Sequence, residues 1–362
     1  MKTNPATQSP TPTIAPRQWV MPAALDRYPR HKFFGNKKTL LADIANLIPP
    51  EAKTIADIFS GTGIVSWFLK NQGYRVISND IMGWPNMRLR ALVANNVTTL
   101  TAEDVQRLCE PCPDSDKQKF ITEYYGSSLG TENCDFLENW AGNLSRLADP
   151  IKRDIAIYVC IVCIARHINY FSIHFNALGE LGGCQRLSRF NFKNEVCDYA
   201  LQDFPAFVYD NGCQNECHNV DAIELVSQIK ADVLYCDSPY ASPAGSYETQ
   251  FAFLDDLVTC LSNHGERIVD PYDNRSDLPK YANFGSRRSA LSEFARLFDR
   301  SRHIPCLIVS YNTTSEISAK QIESIARAYQ RKDISVHFIP RQRPTLVKGP
   351  MTTTEEVLMV CR

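Results

Sequence analysis

No apolar run in this 362-residue chain approaches the roughly 20 residues needed to span a bilayer, and the opening stretch MKTNPATQSPTPTIAPRQWV has no apolar centre of the signal-peptide kind. These two absences argue against a membrane-spanning or a secreted protein, so a soluble, cytoplasmic one is expected. Net charge is also nearly absent. Lys and Arg number 39 against 40 Asp and Glu, for a formal charge of -1. That excludes a globally basic nucleic-acid binder but not a local basic patch, because phosphate affinity follows local charge. The paired cysteine spacing of a zinc finger is missing too: Cys109 with Cys112, and Cys213 with Cys217 and His218, form clusters but no such pattern, and no metal is expected. The 13 cysteines are spread over a large chain, several inside apolar runs such as YVCIVCIA, and read as reduced core thiols. There is no internal repeat.

What is present is an ordinary globular balance, 44% hydrophobic and 22% charged. Residues 1–25, rich in Pro, Thr and Ala, read as a flexible tail. From Lys53 the pattern becomes that of a parallel α/β protein. TIADIF is a short apolar strand, SGTG a tight turn, IVSWFLKNQG an amphipathic helix closed by Gly73, and YRVISND a second strand. After Asp80 strand signals vanish for about a hundred residues, and segments 86–96, 101–109, 115–125, 134–147 and 150–169 read as helices. The Gly-rich NALGELGGCQ follows, and RLSRFNFKNEV reads as a short hairpin or loop. Strand signals resume with FVYD, CHNVD and DVLYCD, continue at IPCLIVSYN and ISVHFIP, and finish with EEVLMVCR. The expected fold is therefore one α/β sheet interrupted by a helical insertion. Positive charge concentrates in Arg27 to Lys38, Gln185 to Lys193, Arg287 with Arg288, and Arg341 to Lys348.

Three short motifs carry chemistry. DIFSGTG, Asp57 to Gly63, joins a strand to a helix; its glycines let backbone approach a ligand, and the helix start offers free N–H groups. It lacks the full G-x-G-x-x-G pattern, which disfavours a dinucleotide. Asp80 ends the next strand, where a carboxylate can accept both hydroxyls of a ribose. Upstream, KFFGNKKTLL sets Gly35 between aromatics and lysines just ahead of an apolar helix. Downstream, VLYCDSPY is a buried strand ending in Asp237, Ser238, Pro239 and Tyr240, at the sheet end where open α/β folds place their sites.

In that order, Phe33-x-Gly35-x-Lys37, Phe59-x-Gly61-x-Gly63 and Asp237-Ser238-Pro239-Tyr240 resemble the motifs of S-adenosylmethionine-dependent DNA adenine-N6 methyltransferases. More narrowly, the chain resembles the DNA adenine methylase family, whose cofactor motifs come first and whose Asp-Pro-Pro-Tyr signature comes last. The resemblance runs from about residue 27 to the end. It implies a Rossmann-like methyltransferase sheet with helices on both faces, formed by 26–83 and 201–362, with a mostly helical target-recognition domain at 84–200. It implies that Phe33, Gly35 and Lys37 hold the methionine carboxylate end of S-adenosyl-L-methionine. Asp57, Phe59, Ser60, Gly61 and Gly63 would wrap its methionine and ribose, Asp80 would bind the ribose hydroxyls, and Asp221 would lie beside its adenine. Arg186, Arg189, Asn191 and Lys193 resemble the family's DNA-contacting hairpin, and Arg and Asn suit guanine and adenine edges. The implied partners are double-stranded DNA and a cognate restriction endonuclease, in a prokaryotic or phage-infected cell, at the nucleoid.

The chemistry such a site requires follows from the substrate. An exocyclic adenine amine is a weak nucleophile because its lone pair is delocalised into the ring. Hydrogen-bond acceptors must draw the nitrogen toward sp³ geometry, and Asp237 with a main-chain carbonyl suits that task. The base must leave the duplex, at about a few kcal/mol, and stacking on Tyr240 returns roughly 1 to 3 kcal/mol. No metal or covalent nucleophile is needed. The chain departs from the family at Ser238, which stands where the first proline is usual; serine keeps the backbone C=O and loses the φ restraint. Two other readings stay open: a cofactor- or DNA-binding homologue with weakened catalysis, and methylation of another amine, N4 of cytosine or RNA. Segment 262–290 is longer than the family's usual connection and reads as a lid, a DNA contact or a surface excursion.

Overall fold

The computed structural model describes residues 19–29, 37–113, 120–167, 187–240, 247–262, 283–313, 315–343 and 352–362. They contain β1 (Thr54–Asp57), β2 (Arg75–Asn79), β3 (Glu216–His218), β4 (Val233–Cys236), β5 (Cys306–Asn312), β6 (Ile334–Arg343) and β7 (Thr352–Cys361). These form one sheet in the order β3-β2-β1-β4-β5-β7-β6. The first five pair in parallel, and β7 runs antiparallel to both β5 and β6. This is the Rossmann-like α/β architecture expected from the sequence. Chain order reverses direction between β1 and β4, so the carboxyl ends of those two strands flank the crevice where open α/β sheets bind ligands.

The sheet is buried on both faces because its side chains alternate between two cores. Ile55, Val76, Val233, Tyr235, Ile308 and Leu358 face one core, shared with Trp67, Phe68 and Leu69 of the helix Ile64–Asn71. Ala56, Ile77, Leu234, Cys236, Val309 and Met359 face the other, shared with Ile223, Phe294, Leu297 and Ile322 from three helices. The first core extends without a break into the helices that follow β2, including the wholly buried stretch Ile155 to Ala165 of the helix Pro150–His167.

Several elements differ from their sequence reading. The helix expected at 86–96 starts at Gly83 and runs through Leu89 into a wider turn, Arg90–Ala94. Those expected at 115–125 and 134–147 lie at Phe120–Leu129 and Thr131–Gly142. FVYD is not a strand. It ends a short 3-10 turn, Phe204–Phe207, opened by Pro205, and the Phe207 carbonyl accepts from the Trp67 indole at 2.9 Å, which takes up the group a ladder would use. RLSRFNFKNEV, as far as it is described, is a turn at Leu187–Arg189 followed by a helix, Phe192–Asp198. Phe192 and Val196, four apart, are its buried pair. Phe190 and Phe192, two apart, imitate strand alternation only because they straddle the junction between the turn and the helix. Residues 19–25, expected within the tail, are anchored: the Trp19 indole donates to Asn46 at 2.6 Å, and Val20 exchanges hydrogen bonds with the Gln72 side chain.

Asp57, the last residue of β1, is fully buried beneath the crevice; its Oδ2 accepts from Ser66 Oγ at 2.6 Å, and burial raises its pKa to about 7. A native carboxyl that keeps its proton above the unfolded range, about 4, penalises folding increasingly as pH rises from there to about 7. Asp57→Asn removes the titration and can keep the Ser66 bond. In urea unfolding of the cofactor-free protein, the variant should therefore gain stability relative to the parent between pH 4.5 and pH 8; a difference that does not change with pH would contradict a protonated native Asp57.

Candidate active site

The cofactor half of the site grows out of the turn after β1. Gly61 and Gly63 adopt φ of 50° and 68°, the left-handed region that glycine enters freely, and Gly63 caps the helix Ile64–Asn71. The turn is tight: a Cβ on Gly63 would sit 3.0 Å from Leu89 Cδ2. Asp80, one residue past β2, ties the two strands' ends together, accepting from Gly61 N at 2.8 Å and from Met82 N at 3.0 Å. Ser60 donates to the Asp57 carbonyl at 2.9 Å, and Asp57 Oδ1 is buried with no hydrogen-bond partner among the described residues. Asp221 is the N-cap of the helix Ala222–Val226, accepting from Ile223 N and Glu224 N, and so holds the loop after β3. Phe33 and Gly35 lie outside the described residues.

The half expected to be catalytic gathers past the end of the neighbouring strand, β4. Lys37, 3% exposed, places its ammonium 2.8 Å from Asp237 Oδ1 and 2.7 Å from the Tyr240 hydroxyl. That hydroxyl lies 3.0 Å from Asp237 Oδ1 and 3.2 Å from Oε2 of Glu356, a buried acid midway along β7. Burial pushes the Asp237 carboxyl above the usual range, Lys37 pulls it back, and Glu356 pushes it up again. Burial likewise holds the Tyr240 phenol well above its ordinary value, so it stays a hydroxyl. Ser238 is 2% exposed, and its Oγ has no partner among the described residues.

An aromatic chain joins the two halves. Phe59 meets Phe284 edge-on at 5.1 Å, Phe284 meets Phe294 at 5.1 Å, Phe294 meets Tyr311 at 5.8 Å, and Tyr311 meets Tyr240 at 5.0 Å. Such edge-to-face pairs fix ring planes as well as burying area. The described end of segment 262–290 therefore packs against both motifs: Phe284 is buried, and Gly285 approaches the Pro239 ring. On the far side of the turn, the Tyr28 hydroxyl donates to the Thr62 carbonyl at 2.9 Å. The buried Arg88 lies 4.6 Å over the Tyr28 ring and donates to the Pro29 carbonyl at 3.2 Å.

The sequence reading missed Tyr28, Ser66, Arg88 and Glu356. Ser66 could have been suspected as the hydroxyl nine residues after Asp57, on the helix the turn opens. Glu356 carried one signal, an acid bordering the apolar run Val357 to Cys361 of the final strand. Of the residues expected to meet DNA, Arg189, Asn191 and Lys193 are exposed together, while Arg186 lies outside the described residues. The Asn191 side chain caps the helix Phe192–Asp198, and Arg189 lies over the Phe190 ring at 4.9 Å. The segment docks through Phe190, stacked 3.6 Å from the His167 ring, and through Asn133, which donates to the Phe190 carbonyl and accepts from Phe192 N. Among the described residues no group of three or more His, Cys, Asp or Glu is placed to hold a metal, and no helix is long and apolar enough to cross a membrane.

Comparison with known proteins agrees with this geometry. The chain is 27% identical over 318 residues to the type II methyltransferase M2.HphI of Haemophilus parahaemolyticus, covering 84% of this chain and 90% of that one. It is 26% identical to the modification methylase StsI of Streptococcus sanguinis, covering 82% of this chain and 46% of that one, so it spans about half of that longer relative. It is 21% identical to the type II methyltransferase M.NlaIII of Neisseria lactamica, covering 78% of this chain and 81% of that one. The family model described as D12 class N6 adenine-specific DNA methyltransferase matches residues 33–259, more than half of the chain. With a methyltransferase sheet, a glycine turn at its switch point and an Asp-Ser-Pro-Tyr loop beside it, the chain belongs to the D12 class N6 adenine-specific DNA methyltransferases.

Proposed function

We propose that the protein methylates N6 of an adenine flipped out of double-stranded DNA at a short sequence, as the protective half of a restriction-modification or defence system in the cytoplasm of a prokaryotic or phage-infected cell. A cognate endonuclease is the partner this implies. The observation that carries the reading is the Asp237 carboxylate, held by Lys37 at 2.8 Å beside the carboxyl end of β1. Family membership implies S-adenosyl-L-methionine as methyl donor. The residues present fit it: the left-handed turn at Gly61 and Gly63, Asp57 Oδ1, buried without a partner among the described residues, and Asp80, a carboxylate at the end of β2 beside that turn. Bound there, it supplies an electrophilic methyl on a good leaving group.

Asp237 and the Ser238 carbonyl accept the two amine hydrogens and align the nitrogen lone pair with the methyl, a matter of positioning and electrostatics. Lys37 is assigned to Asp237 rather than to the methionine carboxylate, because its ammonium already serves Asp237 and Tyr240. It keeps Asp237 ionised, the form that accepts from both sides. The Tyr240 ring stacks on the flipped base. Residues 84–200 read the target, with Arg189, Asn191 and Lys193 on the DNA side; their shared exposure supports this.

Three measurements bear on these roles. Asp237→Ala should lower transfer from labelled S-adenosylmethionine to duplex adenine by roughly a hundredfold or more, with cofactor affinity retained; cofactor binding without transfer by the parent protein to duplex, single-stranded DNA or RNA would refute the enzymatic reading. Ser238→Ala should leave the rate within about twofold, because an unpartnered buried hydroxyl contributes little; a tenfold loss would mean the hydroxyl itself takes part. Lys193→Ala should weaken DNA binding alike across sequences and reduce the slope of log affinity against log salt by about 1, and an unchanged slope would remove Lys193 from the interface.

A further inference from the structure

Glu356 lies outside the residues matched by the family model, on the strand β7 that closes the sheet. Sheet parity explains how it reaches the site. Glu356 shares the strand face of Leu358 and Val360, which belong to the same core as Tyr235 and Ile308, and it is paired in register with Asn312 at the end of β5. Asp237 follows Tyr235 by two residues, so both acids come from the same side of the sheet. Glu356 is 4% exposed, its Oε2 3.2 Å from the Tyr240 hydroxyl and 4.0 Å from the Lys37 ammonium. An acid this deep is expensive unless it is partnered, and these contacts hold it in place.

The hydrogen count at Tyr240 is decisive. Its hydroxyl accepts from Lys37 and has a single proton to donate, yet two carboxylates stand within reach, at 3.0 and 3.2 Å. Given to Asp237, that proton joins the Lys37 ammonium on Oδ1 and leaves only Oδ2 for a substrate amine. Given to Glu356, it leaves Asp237 Oδ1 free on that side while the ring stays fixed. We propose that Glu356 is a positioning residue for methyl transfer: it takes the Tyr240 hydroxyl hydrogen bond when Asp237 accepts the adenine amine. The proposal rests on Asp237 being the amine acceptor. No bond is made or broken by Glu356, and no proton leaves Tyr240.

Asp237 is faced by Lys37, Tyr240 and Glu356 directly, with Tyr235, Cys236 and Asp57 around them. Glu356 is the acid next to it, and its charge raises the Asp237 pKa. Glu356→Gln keeps the size and an acceptor but removes the charge; Glu356→Ala removes both. The test measures single-turnover transfer to duplex DNA across pH for the full chain, the two variants and Asp237→Ala, with S-adenosylmethionine affinity as the check on folding. Expected are a loss of about tenfold to a hundredfold in Glu356→Ala, the factor carried by one charge-assisted hydrogen bond, a smaller loss in Glu356→Gln, and an acidic limb displaced to lower pH in Glu356→Gln because Asp237 loses a neighbouring negative charge. An acidic limb that stays in place in Glu356→Gln, or a Glu356→Ala rate within threefold of the parent, overturns the proposal. Should Asp237→Ala keep its activity, the acceptor assignment itself fails, and the proposal with it.

Discussion

One buried ammonium holds the active edge of this protein together. Lys37 contacts Asp237 and the Tyr240 hydroxyl and lies 4.0 Å from Glu356, so one cation and one phenol serve two acids with little access to water. In a medium of low dielectric, a cation beside Asp237 offsets the cost of burying its charge. The same arrangement explains why burial raises the Asp237 carboxyl and Lys37 draws it back. The four groups come from different places in the chain: Lys37 just ahead of the turn Lys38–Leu40, Asp237 one residue past β4, Tyr240 in the loop that follows, and Glu356 midway along β7.

The cofactor side is held in shape by smaller bonds of the same logic. Asp80 reaches from the end of β2 to the Gly61 amide, Ser60 donates to the Asp57 carbonyl, and Tyr28, under Arg88, grips the Thr62 carbonyl. The glycine turn is thus braced from three directions. The ring chain from Phe59 through Phe284, Phe294 and Tyr311 to Tyr240 couples this turn to the acceptor loop through packing alone. A shift of either motif would have to move a chain of five interlocked rings in a core that tolerates little repacking.

Much of this was legible beforehand where chemistry depends on residue type within a short window. The strand, turn and helix around Gly61 and Gly63 and the strand ending at Asp237 stand where periodicity and turn residues put them. Reading failed where a local pattern was ambiguous. FVYD has strand composition, but Pro205 and the Trp67 indole make it a turn; RLSRFNFKNEV alternates like a strand, but Asn191 caps a helix there. That Lys37 contacts Asp237 and Tyr240 was not legible, because a lysine's reach cannot be read from its neighbours in sequence.

The amino-acid sequence by itself determined the βαβ unit, the left-handed turn and the acid-Ser-Pro-Tyr loop, since backbone freedom at glycine, apolar alternation and strand-end chemistry act over a few residues. It also determined the family, through the order of those motifs. Only the tertiary structure decided that Glu356 faces the Tyr240 hydroxyl and that Arg88 lies over the Tyr28 ring. These contacts cross 116 and 60 residues of chain respectively: the first arises because β7 pairs with β5, where parity and register turn Glu356 toward the end of β4, and the second because the helix Gly83–Leu89 docks on the segment that carries Tyr28 and Pro29.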